Sequence, residues 1–165
     1  MPTKQPTNPM LLAIKEARKN VIETSGKTGP HGGPFGACIT KNGKAIAITR
    51  NTVLHSKDAT CHAEVNAIRK ASKALKTHDL RGCELYSTTE PCPMCFSAIH
   101  WAGIRKIYFG TTTQDVKKFF NELTIPDSTL RRLGKSKVGL KPNFMRKECK
   151  LLLEEWGKLK KKPTY

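Results

Sequence analysis

The order of apolar patterns along the chain predicts an α/β protein, with a mixed sheet sandwiched between helices. Two observations carry this. A stretch of helical periodicity is followed by two short strand patterns around Asn42-Gly43, and helical and strand patterns then alternate as far as Thr111. The chain has 165 residues, which predicts one domain over 1–165 with a core that needs no disulfide staples.

Taken in order, Asn8-Pro9 sets up the first helix, an N-cap residue followed by proline at the first helical position. Leu11, Ile14, Ala17 and Val21 recur at helical spacing, and Gly26 offers a stop. Gly29-Pro30-His31-Gly32-Gly33-Pro34 has the composition of a loop. Phe35 to Thr40 and Ala45 to Thr49 read as a hairpin, because Asn-Gly suits the two positive-φ positions of a type I′ turn. A second helix is expected from about Cys61 to Lys76, with Ala63, Ala67, Ile68, Ala71 and Leu75 on its apolar face. Glu84 to Thr88 reads as a strand, Pro91 to Ala102 as a third helix and Lys106 to Thr111 as another strand. Asp115 to Leu123 is read as a helix, as is Cys149 to Lys160, where Leu152, Leu153, Trp156 and Leu159 share one side. Between these two, Pro126 to Asn143 has little periodicity and many Lys, Arg and Gly residues.

Charge is the outstanding feature of the composition: 30 Lys and Arg against 13 Asp and Glu give a net +17. Such a chain is drawn to polyanions through counterion release. The functional reading is a nucleic-acid substrate; the plainer one is a basic, well-solvated surface on an enzyme of small molecules. Met1 to Pro9 is polar and contains no long apolar run, which predicts neither an export signal nor a membrane span and a cytoplasmic location. Without an export signal, a C-x-x-C beside a proline points to metal or redox chemistry rather than to disulfides.

That pair belongs to the most informative residues in the chain. Thr60-Cys61-His62-Ala63-Glu64 and Glu90-Pro91-Cys92-Pro93-Met94-Cys95 each open an expected helix. Cys92 and Cys95 are one helical turn apart, so both sulfurs can face one ion. His62 completes three ligands of the kind zinc prefers, and three ligands leave a fourth position for water, as in catalytic sites. Helix N-termini favour thiolates. Glu64, two residues after His62, is in reach of the ion and suited to carrying the water's proton. Cys61 points about 100° away from its helical neighbour and is expected to pack rather than bind. Cys38, Cys83 and Cys149 have no ligand spacing. Singly, the cysteine pair could be a redox pair or core residues and His62 a satisfied core histidine; the four residues together argue against both.

H-x-E followed by P-C-x-x-C is the signature of zinc nucleobase deaminases, and the chain resembles that family. The resemblance implies a cytidine-deaminase-like three-layer α/β/α sandwich with a central mixed five-stranded sheet. Within the family the chain is similar to the bacterial guanine deaminases through Gly32-Gly33-Pro34-Phe35-Gly36-Ala37, Asn51, Cys61 to Val65, Glu90 to Cys95, Ala98 to Ala102 and Tyr165. It implies one zinc per subunit and a purine bound by Asn51 and Ala63 between the walls Phe35 and Trp101. It also implies a homodimer exchanging the C-terminal segment, about 147–165, so that Tyr165 closes over the partner's site. A second acid carries a proton to the leaving amino group; Glu122 stands at that point, with a solvent-facing helix acid as the other reading. The tRNA adenosine deaminases share the zinc motif and would use the positive charge; cytosine or cytidine deamination is a further option. A nucleic-acid-binding module stapled by zinc is the reading outside enzymes.

Overall fold

Asn8 caps the first helix through its side chain, which accepts the Met10 N–H at 2.9 Å, and Pro9 occupies the first helical position of α1 (Pro9–Thr24). The computed structural model describes residues 8–27 and 29–165; Met1 to Thr7, part of the polar N-terminal stretch, lie outside the described residues. After the Gly-Pro loop come β1 (Gly36–Lys41) and β2 (Lys44–Arg50), joined through Asn42 and Gly43 with φ of 50° and 73°. Both central residues have positive φ, as a type I′ turn demands. Then follow α2 (Val53–Ser56), α3 (Ala63–Leu75), β3 (Cys83–Thr89), α4 (Pro93–Trp101), β4 (Lys106–Thr111) and α5 (Thr113–Val116). The chain continues through α6 (Asp127–Leu133), β5 (Gly139–Lys141) and α7 (Arg146–Gly157).

The strands form one mixed sheet in the order β2-β1-β3-β4-β5. β1 runs antiparallel to β2 and β3, whereas β3, β4 and β5 are mutually parallel. Successive side chains of β1 serve opposite faces: Ala37 and Ile39 join the core under α3 and α4, while Cys38 packs with Met10, Ala13 and Ile14 of α1. Helices α1 and α7 cover that second face, with Trp156 of α7 buried against Ala17 and Val21. The result is the three-layer sandwich that the resemblance implied. The layers are close. A Cβ at Gly36 would stand 2.1 Å from the Ala13 carbonyl oxygen, so α1 can lie on β1 only because residue 36 is glycine.

Two stretches depart from the sequence reading. The helix expected over Asp115 to Leu123 is confined to α5, because Val116 and Phe120 turn inward to pack beside Trp156. The segment without periodicity, Pro126 to Asn143, holds α6 and β5. Of α6 only Asp127 is fully buried, and β5 has three residues, too few to leave a pattern in the sequence. Among the described residues no helix is long and apolar enough to cross a membrane.

Candidate active site

His62 is the N-cap residue of α3 and Cys92 that of α4, both in extended backbone, and neither side chain caps its helix. An N-cap side chain ordinarily turns back onto the first N–H groups of its own helix. Here imidazole and thiol meet each other instead, with Cys92 Sγ 3.6 Å from His62 Nδ1. Cys95, at the third position of α4, adds a second sulfur, and the three ligand atoms lie within 4.8 Å of one another. One nitrogen and two sulfurs at this separation fit zinc.

The hydrogen bond from the Cys95 thiol, helped by His62, outweighs burial and lowers Cys92 to about 4. Cys92, burial and Glu64 push Cys95 well up. Burial disfavours the His62 cation, but the Cys92 hydrogen bond and the charges of Glu64, Cys92 and Glu122 raise it to about 9. A divalent cation bound here would release these protons, so its affinity falls with falling pH.

Glu64 occupies the second position of α3 and is buried. One carboxylate oxygen accepts from Ser87 Oγ at 2.8 Å, the other from Cys95 Sγ at 3.5 Å. Burial above all raises its pKa. A carboxylate that holds a proton more readily than usual, beside a metal cluster, can take a proton from water and pass it on.

His62, Glu64 and Cys92 open into a cavity of about 290 Å³, whose other walls include Phe35, Asn51, Phe120, Glu122 and Tyr165. Asn51 is held from two sides. Its carbonyl accepts from the buried Asn20 side chain at 2.9 Å, which also donates to the Gly33 carbonyl at 2.7 Å. Its Oδ1 accepts the Val53 N–H at 3.1 Å and the Tyr165 hydroxyl at 2.8 Å. The Tyr165 oxygen in turn accepts the Gly33 N–H at 2.6 Å, and burial pushes the phenol up to about 12. With the amide oxygen engaged twice, the NH2 of Asn51 is what it has left to offer. A Cβ at Gly32 would fall 2.0 Å from that oxygen, so the loop needs glycine there. Glu122 lies on the cavity wall, and burial raises its pKa.

Two expected pocket residues do not reach the cavity of this chain. Trp101 ends α4, at the opposite end from Cys92, and is 81% exposed. Ala63 is fully enclosed under α3, and its carbonyl accepts from Thr49 Oγ1 at 2.7 Å. Cys61, as expected, stands outside the metal cluster; its sulfur accepts from Arg69 at 3.3 Å. Within the single chain, α7 packs on α1 and Tyr165 bonds Asn51. Sequence reasoning assigned nothing to Ser87, Asn20 or Glu90. Asn20 was detectable as a polar residue on the apolar stripe of α1; Ser87 and Glu90 carry no such mark.

Residues 5–111 match the cytidine and deoxycytidylate deaminase zinc-binding region. The guanine deaminase of Bacillus subtilis (strain 168) is 50% identical over 84 residues, which are 51% of this chain and 54% of that protein. A tRNA-specific adenosine deaminase of Buchnera aphidicola subsp. Schizaphis graminum is 35% identical over 130 residues, 78% of this chain and 82% of the relative. The match thus spans about half of the Bacillus enzyme and most of the Buchnera one. A protein solved in complex with 2,6-diaminopurine superposes with a TM-score of 0.82 at 28% identity, over 96% of this chain and 85% of that one.

Proposed function

Since the chain belongs to the cytidine and deoxycytidylate deaminase zinc-binding family, we propose that it hydrolyses guanine to xanthine and ammonia. The observation that carries the choice of a free base is Tyr165. Its hydroxyl bridges Gly33 and Asn51 at the cavity wall, and a site closed by that ring has no exit for a polynucleotide. The cavity, about 290 Å³, is at the small end of small-molecule sites. The NH2 of Asn51 suits an acceptor, and guanine carries two along one edge, O6 and N7. The similarity to the Bacillus guanine deaminase and to a protein that binds 2,6-diaminopurine supports the same reading.

His62, Cys92 and Cys95 would hold the zinc, which when bound lowers the pKa of water towards about 7. Glu64 accepts the water's proton and delivers it to ring N3 as the oxygen bonds to C2. Glu122 carries the proton of the new C2 hydroxyl to the 2-amino group, which leaves as ammonia when its bond to C2 breaks and the C2 carbonyl forms. Phe35, whose ring centroid is 5.1 Å from that of Phe120, and Tyr165 give the base apolar walls and keep bulk water out.

The reading extends to a homodimer. A homodimer exchanging 147–165 would bring Tyr165 to the partner's cavity by the same contacts. Trp101 stands roughly 13 Å along α4 from its start and is exposed; in the proposed homodimer it would be free to wall the partner's cavity. Deamination of adenosine in tRNA is the second reading, favoured by the +17 charge and by the length of the Buchnera match. Purified protein offered guanine and an anticodon stem-loop in parallel decides between them: xanthine and ammonia are expected. Inosine without xanthine overturns the proposal. Glu64→Gln is expected to lower turnover by about 10²–10⁴-fold with zinc retained; undiminished turnover would remove Glu64 from the chemistry, and a parent protein that turns over no base, with nucleic-acid binding unchanged in Glu64→Gln, would mean a zinc-stapled binding module instead.

A further inference from the structure

We infer that Glu90 is a positioning residue for Glu122, clamping both ends of the segment that brings that acid to the cavity. The inference rests on the role given to Glu122 above.

From Lys117 to Pro126 the chain forms neither helix nor strand, yet it presents Phe120, Asn121, Glu122 and Leu123 to the cavity. Its own bonding is thin. Phe120 packs against Trp156, and the Glu122 N–H donates to the Phe120 carbonyl at 3.0 Å. Among the described residues Leu123, Thr124 and Ile125 make no backbone hydrogen bond, and the Glu122 carboxylate has no hydrogen-bond partner. Lys117, Phe119 and Phe120 donate their N–H groups to Thr113 and Val116, and Phe120 also packs on Phe35 and Tyr165, so the chain is held up to Phe120; beyond it, what locates Glu122 lies at the far ends of α5 and of the segment.

The stretch from Thr113 to Asp127, which is α5 followed by that segment, meets one side chain at both its ends. Glu90 is buried; its Oε2 accepts the N–H of Thr113, which opens α5, at 3.3 Å, and its Oε1 accepts the N–H of Asp127, which opens α6, at 3.0 Å. A carboxylate accepts at both oxygens, and here each oxygen takes the N–H that opens one helix. The Glu90 N–H itself donates to the Thr111 carbonyl at 2.8 Å, so the clamp is anchored to the end of β4. Two residues further on stands Cys92. The clamp thus ties the segment bearing Glu122 to the loop bearing a metal ligand, and sets the distance between the second acid and the cluster.

Glutamine at 90 would keep one acceptor and turn an NH2 towards the other N–H. Asp127→Pro removes one donor from outside the clamp. Proline suits the first position of α6, and Pro126 before it already has the extended ψ of 147° that a residue preceding proline needs. Asp127→Asn, which keeps the N–H, is its control. In the zinc-loaded full chain, Glu90→Gln and Asp127→Pro are expected to speed hydrogen exchange over 117–126 about ten-fold or more, and Asp127→Asn to leave it unchanged. Zinc content should not change. For guanine, kcat should fall about ten-fold with KM within about three-fold, and in a Glu122→Gln background Glu90→Gln should lower kcat no further. Unchanged exchange, or losses that add in the double variant, overturns the inference. Faster exchange combined with a Glu122→Gln variant of full turnover would overturn the role of Glu122 and leave the clamp standing.

Discussion

At position 127 an acid is wholly enclosed, 0% exposed, and neither carboxylate oxygen has a hydrogen-bond partner among the described residues. Burial, then the charges of Glu90, Glu64 and Cys92, raise it to about 9, so it is neutral at pH 7. In the unfolded chain the same group ionises near pH 4. The folded state therefore binds the extra proton, and the associated stability is complete below about pH 4 and lost as pH rises through about 9. Asp127→Asn has no such group. Its melting temperature relative to the parent should climb from pH 5 to pH 8; a constant difference would contradict the enclosed neutral acid. The His62-Cys92-Cys95 cluster and Glu64 were legible residue by residue, because ligand type and spacing are local properties. Asn20 and Glu90 were not, because their hydrogen-bond partners lie 13 to 37 residues away.

Among the elements, α3 and α4 supply the His62-Cys92-Cys95 cluster and Glu64 from their first turns. The N-cap slots, usually filled by residues that satisfy the helix, are given to His62 and Cys92. Helix α7 contributes differently, since it leads to Tyr165 and lies directly on β4. A Cβ at Gly110 would stand 2.3 Å from Cys149 Sγ, so Gly110→Ala should push α7 outward. We expect a loss of about 1–3 kcal/mol in urea unfolding, with a raised KM for guanine, and partial recovery when Cys149→Ala is added. A variant as stable as the parent would show that α7 yields freely. The strong elements were readable because each buries a periodic stripe. α5, α6 and β5 were not, since each is short and is held by partners remote in sequence, such as Asp115 with Arg146 at 2.8 Å and β5 with β4.

For the molecule as a whole, the sandwich leaves a small cavity on a surface of net charge +17. Guanine is neutral, so its kcat/KM should change less than about two-fold between about 50 and 200 mM salt, whereas a polynucleotide substrate making several phosphate contacts would lose orders of magnitude. A steep loss with guanine itself would mean that the charge takes part in binding the base. The alternation of elements and the H-x-E and P-C-x-x-C segments determined the class of fold and the cluster, since helix starts deliver side chains to predictable places. Only the tertiary structure decided which way the Asn51 amide is turned, where Glu122 stands, and that Trp101 faces away from its own chain's cavity. The first two depend on groups remote in sequence (Tyr165 with Asn51, Glu90 with Asp127), which leave no spacing to read, and the third on the cavity being assembled at the N-terminal end of α4 by segments from Phe35 to Tyr165.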